Sequence, residues 1–262
     1  MRAIPIKSLK PLACVLAALL AALAHPAFAD EPRQGLRLPS LGDEARAWGR
    51  AVEKVDWTSA VLLGAGVTFA SSALDIRAFK IADRHRDSNT LRDVVRLGNA
   101  LPIAAVGLSA ALIFSSSQPR LSDTGLAAFE AGVGAVVLTE GLKIGFGRAR
   151  PETGLGKAEF DPFNTHDDHG SLPSNHVTVM WAAVTPYALE YDMPWLYAVA
   201  ALTNVARVTS REHWLSDTVG GAFIGYGLGR LAWQARKQHS ADRSGPQLLI
   251  GPQSVTLLWT LE

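Results

Sequence analysis

Two stretches of this chain stay uncharged for longer than a surface helix normally does. Trp57 to Leu74 has no charge over 18 residues and is rich in Ala, Gly and Val, and Leu97 to Pro119 has none over 23. Both runs predict helices of membrane-spanning length. Between them, Asp75 to Asp93 is charged around Asp83-Arg84-His85-Arg86-Asp87 and reads as a solvated helix end and loop. A third helix, capped by Ser122 or Asp123, should run to about Phe146 and carry Glu130 and Glu140 within apolar sequence. Three more apolar helices follow at about 175–191, 194–209 and 216–237, the first two parted at Asp192-Met193-Pro194, where Pro194 suits a helix start. On the last, Gly221, Gly225 and Gly229 recur every four residues and form one face for close helix contact.

The flanks differ. A polar lead from Asp30 passes into a helix around Asp43–Lys54, and Gln247 to Leu261 holds two short apolar runs about Gly251-Pro252, the pattern of a hairpin. The expected architecture is therefore all-α, a bundle of about six helices over residues 57–238. A lead and helix (30–56) precede it, and a tail (239–262) with short extended segments follows.

The first 29 residues change the picture of where the chain works. Arg2, Lys7 and Lys10 precede an apolar run from Leu12 to Ala24, and Ala27-Phe28-Ala29 offers a small-x-small cleavage site, the layout of a secretory signal peptide. Removing it takes away Cys14, the single cysteine, so the mature chain has no disulfide support. It also takes three cations and no anion from a total of 25 Lys+Arg against 24 Asp+Glu, leaving a net charge of about −2. That balance argues against an overall basic nucleic-acid binder. The expected location is the cell envelope beyond the cytoplasm, soluble or attached to the membrane. A cleaved leader would put the new N-terminus outside, and six spans would then carry residues 143–174 to the inside. An integral bundle is accordingly the alternative.

Three short clusters carry the chemistry. In the stretch from Arg207 to Asp217, His213 and Asp217 stand four apart, so at a helix start they share a face. The carboxylate could accept from one ring nitrogen and leave the other as a free lone pair, or the pair could merely cap a helix. Arg207 can return to the same place, and its planar fork suits phosphate oxygens. In Pro173-Ser174-Asn175-His176 a loop meets a helix. Ser174 can cap it, the exposed N–H groups form an anion site, and His176 could give a proton to a leaving oxygen. Lys143 and Arg150 close a helix before Pro151; by themselves they are cations at a helix C-terminus, and Arg148 reads as solvated.

The order K-x6-R-P, P-S-x-H, R-x5-H-x3-D resembles the signature of the type 2 phosphatidic acid phosphatase (PAP2) superfamily, which includes lipid phosphate phosphatases, bacterial class A acid phosphatases and vanadium haloperoxidases. The motifs cover Lys143–Asp217, and the helical pattern extends the likeness over roughly 50–237. The resemblance implies that Lys143, Arg150 and Arg207 bind phosphate and that Ser174 hydrogen-bonds it. It further implies that His176 is the general acid, that His213 is the nucleophile forming a phosphohistidine, and that Asp217 orients that nucleophile. It implies no metal or other cofactor, and a phosphorylated lipid or small phosphate ester as partner. Two positions depart from the family pattern. Asn175 stands where glycine is usual, and asparagine is the next best residue at positive φ; it is also a phosphate-binding candidate, and its added side chain could narrow the pocket or add a donor. Ala206 replaces a frequent serine.

The competing readings are a vanadate-dependent haloperoxidase, for which the chain is short, and a non-catalytic phospholipid-binding envelope protein, for which Asn175 is the reason. His166-Asp167-Asp168-His169 reads as a polar lid, with divalent-metal binding as its alternative. Trp181, Trp195 and Trp214 read as core packing, or as an apolar approach for a lipid tail.

Overall fold

The computed structural model describes residues 36–38, 40–115, 118–241, 247–251 and 254–258. The leader expected over 1–29 lies outside them, as does most of the polar lead. The described residues form eight α-helices: α1 (Leu41–Glu53), α2 (Trp57–Ser71), α3 (Asp75–Arg84), α4 (Asn89–Ser115), α5 (Pro119–Phe146), α6 (Asn175–Glu190), α7 (Leu196–Thr209) and α8 (Leu215–Ala241). Six of these, α2 and α4 to α8, form the expected bundle. Three short antiparallel strands stand beside it, β1 (Leu36–Leu38), β2 (Gln247–Gly251) and β3 (Ser254–Leu258), in the order β1-β2-β3. The β2–β3 hairpin, with Leu249 opposite Thr256, is the extended tail expected from sequence. Its pairing with β1, Leu36 opposite Ile250, joins the two ends of the described chain and was not legible.

Helix α6 is the axis of the bundle and packs against α5, α7 and α8. The core gathers Met180, Val184 and Ala188 of α6 with Leu101 of α4, Leu121 of α5 and Leu196 and Ala200 of α7. On the other side of α6, Val179 and Ala182 meet Ala127, Ala131 and Ala135 of α5 and Ala232 of α8. Small residues let these backbones approach closely. The glycine face of α8 is the tightest case, because a Cβ on Gly225 would lie 2.3 Å from the Thr178 carbonyl oxygen and one on Gly229 2.6 Å from that of Ala182. A backbone carbonyl on the central helix cannot step aside. Gly225→Ala should therefore destabilise by about 1–3 kcal/mol and lower the melting temperature by roughly 5 °C. An unchanged melting curve would mean that α6 and α8 are not seated this closely.

Several helices expose apolar side chains. Helix α2 has no buried residue, and Phe69 is 81% exposed beside Val61, Leu62 and Leu63. Ile103, Phe114 and Val137 extend the exposed apolar surface onto α4 and α5. Three helical stretches, Trp57–Arg84, Asn89–Phe114 and Pro119–Phe146, are long and apolar enough to cross a membrane. Exposed apolar side chains on helices of this length suggest contact with lipid or another apolar partner.

The charged segment after α2 differs from the sequence expectation. Most of it is solvated, but Asp75 is fully buried at the start of α3. The chain turns there through a 3-10 helix (Ser72–Leu74), which brings the α3 N-terminus beneath the start of α8.

Candidate active site

One end of the bundle collects the three clusters. Lys143 lies in the last turn of α5, Asn175 and His176 begin α6, Arg207 lies in the last turn of α7, and His213 and Asp217 flank the start of α8. Helix α5 ends at Phe146, four residues before Arg150. Gly147 takes φ +56°, where a Cβ would fall 1.8 Å from the Asp161 carbonyl oxygen, so the turn requires glycine. Beyond it the chain runs extended to Arg150, whose N–H donates to the Asp168 carbonyl (2.8 Å), while the Ser171 N–H returns to the Arg148 carbonyl (3.0 Å).

His213 is buried, and its Nδ1 stands 2.7 Å from the Ser171 carbonyl oxygen. A carbonyl only accepts, so Nδ1 carries the proton and Nε2 the lone pair. Burial, followed by the charges of Arg207 and Arg150, holds this imidazole well below its ordinary pKa. It is a neutral base. His176 is lowered to about 4, chiefly by burial and then by Arg207, with Glu212 pulling the other way. Lys143, Arg150 and Arg207 thus act on both imidazoles, and the structure brings all five residues together.

Asp217 does not hold the His213 ring as expected. Its Oδ2 is 3.9 Å from Nδ1, beyond hydrogen-bond reach. That oxygen instead accepts from Ser171 Oγ (2.5 Å) and the Trp214 N–H (2.8 Å), and Oδ1 accepts from Arg148 Nη1 (2.5 Å). The carboxylate therefore fixes Ser171, whose carbonyl fixes the ring. Burial pushes Asp217 up to about 6, and Arg148 opposes that rise. It stays ionised at neutral pH, as its three donors require.

Arg148 is likewise not solvated. It is buried between two carboxylates, with Nη2 on Asp75 (2.9 Å) and Nη1 on Asp217, and it also donates to Ser216 Oγ and to the Lys157 carbonyl. Asp75 accepts in addition from the Ser216 N–H (2.8 Å) and its hydroxyl (2.7 Å). The arginine and its two carboxylates lie 73 and 69 positions apart in the chain. Spacing alone could not pair them, and the one signal for Asp75 was its place as the first charge after an 18-residue apolar run.

Two further expectations need correcting. Ser174 occupies the N-cap of α6, yet its hydroxyl makes no capping bond and has no partner among the described residues, although the residue is fully buried. Asn175 is not at positive φ; it is the first residue of α6, so asparagine in place of glycine strains nothing. Its Nδ2 donates to Glu140 Oε1 (3.0 Å), which also receives Lys143 Nζ (3.1 Å).

The cations hold further partners that sequence reasoning missed. Arg207 donates to Asn99 Oδ1 (2.6 Å) and to Glu212 Oε2, while its buried Nε has no acceptor among the described residues. Arg150 donates to the Asp167 carbonyl and carboxylate (2.8 and 2.7 Å) and to Glu212 Oε2 (3.4 Å). The His166–His169 segment is thus a wall of the site, folded as a 3-10 turn (Asp167–His169) against Arg150. Among the described residues no group of three or more His, Cys, Asp or Glu is placed to hold a metal ion. Trp214 packs beneath the site, its indole N–H on the Ala149 carbonyl (2.9 Å), and Trp181 stacks on Tyr197, so both are packing residues. Trp195, just before α7, is half exposed.

The family model described as PAP2 superfamily matches residues 124–241, a stretch running from within α5 to the end of α8 and containing every cluster above. Over residues 124–241 this chain is similar to the PAP2 superfamily. The PAP2 match covers the four helices that carry Lys143, His176, Arg207 and Asp217, and it leaves Asp75 and Asn99 outside. A curated relative, the lipid A 1-phosphatase of Porphyromonas gingivalis, is 34% identical over 97 residues, covering 35% of this chain and 19% of the relative. The chain thus spans about a fifth of that protein's length. No solved structure matches the chain.

Proposed function

We propose that this chain is a phosphoric ester hydrolase acting on phosphorylated membrane lipid through a phosphohistidine intermediate. The observation that carries the reading is His213: a neutral imidazole with Nδ1 committed to Ser171, leaving Nε2 as a lone pair among three cations. The phosphate sits between Lys143, Arg150 and Arg207, where the buried Ser174 hydroxyl and Arg207 Nε offer donors that no group among the described residues satisfies. The Nε2–P bond forms as the P–O bond to the lipid breaks, and His176 gives its proton to the departing oxygen. An arriving phosphate opposes the cations that depress His176 and so favours its protonated form. Water then attacks phosphorus with His176 as base, the P–N bond breaks, and inorganic phosphate leaves.

The three cations supply the charge compensation, and no metal is part of this mechanism. Hydrolysis should survive excess chelator undiminished; loss of activity that returns with a divalent ion would replace this mechanism with a metal-assisted one. The exposed apolar surface of α2, α4 and α5 supports association of the bundle with a membrane, and the relative named as a lipid A 1-phosphatase supports a lipid substrate. The deciding experiment is a phosphate-release panel of phosphatidic acid, phosphatidylglycerol phosphate, polyprenyl diphosphate, lipopolysaccharide phosphate and a soluble ester, run on soluble and membrane fractions. Preference for the soluble ester, with activity in the soluble fraction, would overturn the lipid assignment.

A further inference from the structure

Each cation of the candidate phosphate site has a carboxylate beside it. Glu140 pairs with Lys143, Asp167 with Arg150, and Glu212 bridges Arg150 and Arg207 through one oxygen. The three differ in setting. The Glu140 side chain is 53% exposed and that of Asp167 is 91% exposed, whereas Glu212 is 32% exposed and is the only one of the three joining two of the cations. Its neighbour in sequence is His213, and its charge also acts on His176. A carboxylate oxygen lodged between two guanidiniums has the charge and the acceptor geometry of one phosphate oxygen.

We infer that Glu212 is an internal competitor for the phosphate position, an affinity-setting residue that a substrate phosphate must displace from Arg150 and Arg207. The inference rests on the phosphatase reading. Coulomb attraction to two guanidiniums is shared between the carboxylate and the incoming anion, so the bridge weakens binding of any phosphate that needs both forks. A monoanionic phosphodiester gains less from the exchange than a dianionic monoester, so the bridge also selects for terminal phosphate. The alternative role is alignment, in which Glu212 holds the two arginines in register for the phosphate. The two roles predict opposite signs.

The test is the affinity of the full-length protein for inorganic phosphate, measured by calorimetry and as competitive inhibition of hydrolysis. It compares the wild type with Glu212→Gln and Glu212→Ala, with thermal melting as the check on folding. Competition predicts that Glu212→Gln binds phosphate about tenfold more tightly, the effect of about 1.4 kcal/mol, and that Glu212→Ala follows in the same direction. Equal or weaker binding in a folded Glu212→Gln protein overturns the inference and leaves the phosphatase reading standing. Absence of phosphate binding in wild type and both variants, together with absence of hydrolysis, overturns both. If Glu212→Ala fails to fold, the glutamine variant alone decides the sign.

Discussion

His213→Asn is expected to lose phosphate release by a factor on the order of 10^4 or more while remaining folded. Asparagine is the informative replacement because its Nδ2 can take the place of the ring Nδ1 and donate to the Ser171 carbonyl, the one polar contact the structure gives that ring. The buried Ser171 carbonyl keeps a donor, so the fold does not inherit an orphaned acceptor. What disappears is Nε2, the lone pair proposed to attack phosphorus. His213→Ala should lose the same activity at a larger cost in stability, since it leaves a cavity and an unpaired carbonyl in a buried site. Phosphate-release rates with the best substrate of the panel, beside melting curves, separate the two effects. Hydrolysis within tenfold of wild type in either folded variant would remove His213 as nucleophile and with it the phosphohistidine step. A variant that keeps binding inorganic phosphate without turnover would place the defect in chemistry, which is the expected pattern.

The sequence carried the helices and the gathering of the motif residues better than it carried their supports. Long uncharged runs, Pro at a helix start and glycines at four-residue intervals are local signals, and they located the bundle and the α6–α8 contact. The K-x6-R-P, P-S-x-H and R-x5-H-x3-D spacings likewise placed seven residues at one end of the fold. What failed was any inference that needed to know which loop passes beneath which helix. The i, i+4 spacing of His213 and Asp217 made a direct bond attractive, yet the non-helical segment before Leu215 turns the ring toward Ser171. Asn175 suggested positive φ by analogy with glycine, but a residue in the first turn of a helix has ordinary φ. Asp75 and Arg148 looked like surface charges because each sits in a charged local sequence. Burial is a property of the assembled structure, and only the other's charge makes either one tolerable inside.

That mutual dependence makes Arg148→Ala the substitution with the largest expected effect on stability. The guanidinium is 4% exposed and lies between two carboxylates that are fully buried. Without it, Asp75 and Asp217 face each other's charge with only hydroxyl and N–H donors left, and breaking a buried pair in this way costs about 3–5 kcal/mol. Against a typical total of about 5–15 kcal/mol, that is a large share of the fold; the melting temperature should drop by roughly 10 °C or more. Arg148→Lys should recover only part of the loss, since one ammonium cannot serve Asp75, Asp217, Ser216 and the Lys157 carbonyl together. Adding Asp75→Asn to Arg148→Ala removes one of the two stranded charges, so the double variant should be more stable than the sum of the single effects predicts. A drop of less than about 2 °C for Arg148→Ala would mean that the network is hydrated and the carboxylates are not stranded. The same network should also appear in catalysis. Arg148 holds Asp217, Asp217 holds Ser171, and the Ser171 carbonyl fixes the proton on His213 Nδ1. Arg148→Lys, assayed well below its melting temperature, should therefore lose turnover more than phosphate affinity, because the cations proposed to bind phosphate are untouched while the orientation of the proposed nucleophile is not.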